Sequence, residues 1–174
     1  MAERSEANII RAPQRVLSTQ EAQKETKMAN YNCSIRTNYF HVKDAEKFRE
    51  FMNHVLGSED NIDLWEKTDN SGCPVFGFGC YGSILGYVEG ADEEDEDFDA
   101  DIAYDAFIDG LSNHVADDDA IIIFEAGNEK LRYVVGSALV ITRFNTKYLD
   151  VQKMAVETAA KLLKNPEFDT QCEY

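Results

Sequence analysis

From Asn32 onward the hydrophobic period of this chain switches between that of strands and that of helices, and the strand-like stretches come in groups. A doubly wound parallel sheet needs strands and helices to alternate one by one, so this grouping argues against it. The order strand, helix, several strands, helix, hairpin, helix predicts an α+β fold: an antiparallel sheet with about three helices packed mainly on one face.

The first strand is expected over 32–42, where Ile35, Thr37 and Tyr39 share a face. Asp44 then caps a helix whose Phe48, Phe51, Met52, Val55 and Leu56 follow helical spacing, with Gly57 placed to end it. Short strands over 62–66 and 75–81, joined through Asp69, Asn70, Ser71 and Gly72, and a further one over 84–88 read as a meander. Tyr104, Phe107, Ile108, Leu111 and Val115 mark a second amphipathic helix. Two apolar strands, 120–124 and 131–142, flank Gly127 and Asn128 as a turn and form a hairpin expected at the sheet centre. Val151, Met154, Ala155, Thr158, Ala159, Leu162 and Leu163 mark a third helix, stopped before Pro166.

With 174 residues, 44% of them hydrophobic, the chain can bury one core. Residues 1–27 are polar and poor in aromatics, and read as a mobile leader, or as the product of an upstream start, ahead of a single domain over 28–174. Ser18 and Glu21 have capping-box spacing, so a short helix is expected within that leader. No apolar run approaches the roughly 20 residues needed to cross a bilayer, and the N-terminus lacks a secretory apolar segment. A cytoplasmic protein is expected, with Cys33, Cys73, Cys80 and Cys172 as reduced thiols too scattered for a disulfide scaffold or a zinc finger.

Charge is where function shows. The stretch 89–119 holds fourteen Asp or Glu residues and no Lys or Arg. The whole chain has 33 acidic against 17 basic residues, a formal charge of -16. The leader contributes five basic and four acidic residues, so the acidity belongs to the domain. An acidic loop is expected over 89–101, with Asp92, Glu93, Glu94, Asp95, Glu96, Asp97 and Asp99 solvated. Asp101, Asp105 and Asp109 fall at i, i+4 and i+8, about 6 Å apart along a helix axis, a negative ridge opposite the apolar positions Tyr104, Phe107, Ile108 and Leu111. Such a surface fits a partner of opposite sign: a protein whose Lys and Arg normally neutralise phosphates. Direct binding to DNA or RNA is not expected.

Catalytic and cofactor motifs fail on context. Gly77, Gly79 and Gly82 spell a G-x-G-x-x-G after a strand, but β-branched residues follow where a helix should begin, so the glycines read as structural. Asp97, Asp99 and Asp101 begin like a calcium loop, yet Ile102 and Ile108 stand where Gly and Glu are needed. His41, His54 and His114 are far apart in sequence, and Glu125 with Glu129 reads as exposed hairpin carboxylates beside Lys130 and Arg132. The chain is therefore expected to be no enzyme and to need no cofactor or metal. An exposed edge strand would allow homodimer pairing.

Three strings carry a family resemblance: Arg36 to Phe40; Glu129 to Val134 with Gly136; and the terminal Cys172, Glu173 and Tyr174. Over about 28–174 the chain resembles small acidic proteins carried by phages and mobile elements of gut Firmicutes, a group that includes inhibitors of the CRISPR nuclease Cas9. The resemblance implies a stoichiometric anti-defence protein that binds a Cas9-type nuclease or its guide-RNA complex in the host cytoplasm. The acidic residues are the first site expectation, and Arg36, Tyr39 and Arg132 the second. A small acidic interaction or scaffold protein, and a hydrolase whose site is assembled only by folding, are the alternatives.

Overall fold

The computed structural model describes residues 8–10, 31–59, 61–88, 99–129 and 132–170. Nine strands and three helices lie among them: β1 Asn8–Ile10, β2 Asn32–Thr37, α1 Ala45–Met52, β3 Val55–Gly57, β4 Asp63–Thr68, β5 Pro74–Tyr81, β6 Ile84–Tyr87, α2 Ala100–His114, β7 Ile121–Glu129, β8 Arg132–Ile141, β9 Thr146–Asp150 and α3 Val151–Leu163. Seven strands form one sheet in the order β1-β4-β5-β2-β7-β8-β9, and β3 with β6 forms a second. All strand pairs are antiparallel, as an α+β fold requires.

Pleating sorts the main sheet into two faces. In β2, Cys33, Ile35 and Thr37 are buried while Asn32, Ser34 and Arg36 are exposed, and β7 carries Ile121 and Ile123 on the buried side. Helices α1 and α2 cover that side, with Phe48 packed edge-on against Phe40 and Phe76, and Phe107 against Phe78. Phe40, Phe48, Phe76, Phe78, Phe107 and Leu111 are fully buried, each side chain contributing roughly 1.5–3 kcal/mol by removal from water. Helix α3 starts over the other face, where Val151 sits against Gly136, a position that alternates with buried Ser137.

Four expectations need correcting. Helix α1 is capped by Asp44 as read, its Oδ1 accepting from the Glu46 and Lys47 amides, but it stops at Met52, and Val55 and Leu56 enter β3 instead. Val55 is buried either way, so its apolar spacing could not decide between the two. The strand over 84–88 forms as β6 but pairs with β3 outside the main sheet, which breaks the meander. Gly127 and Asn128 are not a turn: β7 runs through them to Glu129 with a register irregularity, and a Cβ on Gly127 would overlap the Tyr31 phenol, so close approach explains the glycine. The β7–β8 hairpin is displaced from the sheet centre, which β2 occupies.

Strand β1 brings part of the stretch read as a leader into the sheet, pairing Asn8 with Glu66 and Ile10 with Leu64. The short helix expected after Ser18 lies outside the described residues, as do Cys172, Glu173 and Tyr174. Strand β9, which no sequence pattern signals, pairs with β8 and, with β1, forms the sheet edges.

Candidate functional site

Helix α2 presents the expected ridge. Its N-cap Asp99 accepts hydrogen bonds from the Asp101 and Ile102 amides at 3.0 and 3.3 Å, satisfying helix-end donors that would otherwise lack partners. Ala103, Phe107 and Leu111 turn inward. Asp101, Asp105 and Asp109 are exposed, and among the described residues none of the three pairs with a Lys or Arg. Asp99 is partly committed to capping. Tyr104 is a correction: it is 40% exposed and not buried. Asp92, Glu93, Glu94, Asp95, Glu96 and Asp97 lie outside the described residues.

The second set of site residues does not join the first. Arg36 lies on the far face of the sheet, its guanidinium carbon 4.0 Å above the Trp65 ring. Nearby, the Lys67 ammonium sits 3.4 Å over the Tyr39 ring. Both cations are thus partnered by aromatic faces. Arg132 opens β8 opposite Glu129, and its side chain lies outside the described residues. On the same far face Phe124 stands in register between Arg36 and Ala138, and it is 52% exposed.

The three histidines each have a structural explanation. The His41 ring bridges two carboxylates, Nδ1 to Asp119 at 2.8 Å and Nε2 to Asp69 at 3.1 Å, and its amide donates to Asp119 at 2.8 Å. Hydrogen bonds to Asp119 and then Asp69 hold its pKa above the usual histidine value. With both nitrogens occupied, the ring has none left to activate a nucleophile. His114 packs against Phe48 and Phe51, and burial lowers its pKa. His54 meets Tyr87 edge-on.

Gly77 and Gly79 lie within β5 and Gly82 in the turn that follows it, and the next element is strand β6, not a helix. Gly79 lies so close to the Ile35 carbonyl and the Trp65 ring that a side chain would not fit, and Gly82 has φ +77° at the turn into β6. Among the described residues no cluster of His, Cys, Asp or Glu is arranged to hold a metal.

Among the described residues, two of the cavities on the surface stand out, and neither has a histidine in its described wall. One is an open depression beside Asn32, Glu59, Tyr81 and Val134. The other, of about 240 Å³, lies on the helix-covered side of the sheet between α2 and strands β2, β7, β8 and β9, and includes Tyr104, Glu125, Ser137 and Tyr148 in its wall. Glu125 is therefore not the exposed hairpin carboxylate that its sequence suggested. It is half-buried, on the core-facing side of β7, and accepts a hydrogen bond from the Tyr31 hydroxyl at 3.1 Å. Burial, and then this bond, push the Tyr31 hydroxyl up to about 12. Tyr31 and Glu125 are 94 residues apart, so no local sequence signal could have joined them.

No family model, curated protein or solved structure matches this chain.

Proposed function

We propose that this protein inhibits a nucleic-acid-binding partner by laying its acidic α2 face on the partner's basic groove; the family resemblance makes a Cas9-type RNA-guided nuclease in a bacterial host the first target. One observation carries the reading. Asp101, Asp105 and Asp109 are exposed at i, i+4 and i+8 without a described cationic partner, on a helix anchored by fully buried Phe107 and Leu111. Three charges then fall within about 12 Å of helix axis. That is close to the Debye length of about 10 Å at 0.1 M salt, so the partner meets them as one field.

Binding would displace counterions as phosphates do, so affinity falls steeply with salt. On an RNA-guided nuclease the surfaces open to such a competitor are the basic DNA channel and the Arg residues that read the protospacer-adjacent motif. The test is target-DNA cleavage by purified Cas9 titrated with this protein at 50 and 200 mM salt (roughly the range over which phosphate competitors lose most affinity), beside the Asp101→Asn, Asp105→Asn, Asp109→Asn triple variant. Inhibition weakened by salt and lost in the variant is expected. Full inhibition by the variant would remove α2 from the site, and no inhibition across several orthologues would reject the nuclease as partner.

A second reading, an interaction protein without nuclease inhibition, draws on the far face, where Phe124, Tyr81 and Val134 are exposed. Partner capture that survives high salt and is lost on Phe124→Ser would favour it.

A further inference from the structure

The cavity beside α2 is chemically distinct from the ridge, and it does not depend on the nuclease reading. At about 240 Å³ it falls below the roughly 300–1,000 Å³ typical of pockets for drug-sized ligands. It suits one functional group on a slender stem and excludes a nucleotide. Its base is apolar, formed by Ile35, Ile123 and Leu139. Its one charged group is the Glu125 carboxylate, and its other polar groups are the hydroxyls of Ser83, Tyr104, Ser137 and Tyr148, which can accept as well as donate. The Tyr31 hydroxyl donates to Glu125 Oε1, while Oε2 receives no hydrogen bond from any described residue. Among the described residues no Lys or Arg lines the cavity and none pairs with Glu125. The Ser137 hydroxyl, on a residue only 8% exposed, adds an acceptor. Tyr104 from α2 and Tyr148 from β9 line it from two elements, each offering a ring whose face attracts cations.

Glu125 Oε2 faces an open cavity with apolar walls and has no described partner, so an entering cation gains a charge-assisted hydrogen bond there. An anion would meet Glu125 and a protein of net charge -16, and a neutral alcohol would leave Oε2 without a charged donor. We infer that the cavity formed by Tyr104, Glu125, Ser137 and Tyr148 binds one organic cation, an ammonium or guanidinium group carried on a short aliphatic stem, with the stem against Ile35, Ile123 and Leu139. The group donates to Glu125 Oε2 and stands against the tyrosine rings.

Two sources share that chemistry: a free alkylamine, and a Lys or Arg side chain of a bound protein. The experiment titrates the full chain, isotopically labelled, with n-butylammonium and N-butylguanidinium, using n-butanol as the neutral control, and follows the methyl resonances of Ile35, Ile123 and Leu139. Saturable shifts confined to these methyls and those of Ile84, which also lines the cavity, are expected for the two cations and not for butanol. Glu125→Gln keeps an acceptor for Tyr31 but removes the charge, and should weaken cation binding roughly tenfold or more, the value of one charge-assisted hydrogen bond. Tyr148→Ala, at an exposed ring, tests the same wall if Glu125→Gln perturbs folding. Asp109→Asn on the ridge serves as the control and should leave binding unchanged.

Equal shifts from butanol, an unaffected Glu125→Gln variant, or binding lost in Asp109→Asn would each overturn the assignment. The peptides Gly-Arg-Gly and Gly-Lys-Gly separate the sources: binding as tight as the free cations sustains the site and assigns it to a protein side chain, whereas exclusion of the peptides sustains it for a free amine. Because no nuclease is present, failure here leaves the ridge proposal standing, and failure of the ridge proposal leaves the cavity standing.

Discussion

Gly86 is the position at which one added methyl group should do most harm. It lies in β6 with φ +140°, a backbone conformation that L side chains rarely adopt, and a Cβ there would overlap the Ala103 carbonyl and stand 2.6 Å from the Tyr104 amide nitrogen. Both obstacles are backbone atoms of α2, which cannot move aside as a flexible side chain can. The turn glycine Gly72 provides the comparison, with φ +85° and nothing within 4 Å of its added Cβ. Backbone strain in each costs about 1–2 kcal/mol, partly offset by about 0.4–1 kcal/mol from the stiffer unfolded chain. Gly72→Ala should therefore destabilise by about 1 kcal/mol. Gly86→Ala adds overpacking worth about 1–3 kcal/mol and should reach about 3 kcal/mol in total. Urea denaturation followed by circular dichroism measures both, and the Gly86→Ala protein should also show altered cation binding, because the displaced segment carries Tyr104. The reasoning fails if the two variants lie within about 0.5 kcal/mol of each other, the scatter of ordinary surface substitutions.

Two further predictions concern titrating groups. The His41 pKa is raised by Asp119 and Asp69, so its contribution is complete below the unfolded histidine value and is lost as pH rises through the higher folded value. The Asp69 pKa is lowered by the Cys73 amide and then by His41; at Asp119 burial acts upward but the His41 amide and ring outweigh it, so both contributions are lost as pH falls through the lowered folded values. The stability gap between the wild type and His41→Gln should accordingly be widest between about pH 4 and 6.5, the two unfolded reference values, and narrower at pH 8; a gap independent of pH in urea titrations would refute the bridge. For the thiols, a Cys172→Ser protein treated with a disulfide reagent should show one fast reaction, at exposed Cys73, because Cys33 and Cys80 are buried and burial raises the Cys33 pKa; three equal rates would refute it.

Local chemistry accounts for what the sequence disclosed. Asp44 and α1, the apolar stripe of α2, the Asp101, Asp105 and Asp109 spacing and the strands β4, β5 and β8 all rest on neighbours within a few residues, so pattern and capping reveal them. What escaped depends on distant partners. Val55 became a strand because Tyr87 supplies its backbone partner. Thr146 to Asp150 shows little apolar alternation, and becomes a strand through pairing with β8. Gly127 resembles a turn residue until Tyr31 is seen packed on it. The cavity draws Tyr104, Glu125 and Tyr148 from three elements, and no spacing rule relates them.

Helix α2 carries a charge pattern that its own stability does not explain. Asp99 and Asp101 lie at the N-terminus, where capping and the helix dipole favour negative charge. Asp105 and Asp109 stand further along, where the dipole gives nothing, and each repels the Asp one turn before it by about 0.2–0.5 kcal/mol. No Lys or Arg among the described residues offsets that repulsion. The inward residues Ala103, Phe107 and Leu111 would hold the helix equally well with Asn at the outer positions, so the core does not require the charges. A small, steady cost in stability at two exposed sites on a rigid helix is what a surface shaped to meet a cationic partner would carry. The same helix places Tyr104 at the cavity, bringing the two proposed sites onto one rigid element, held by buried Phe107 and Leu111 and packed closely against Gly86 at Ala103.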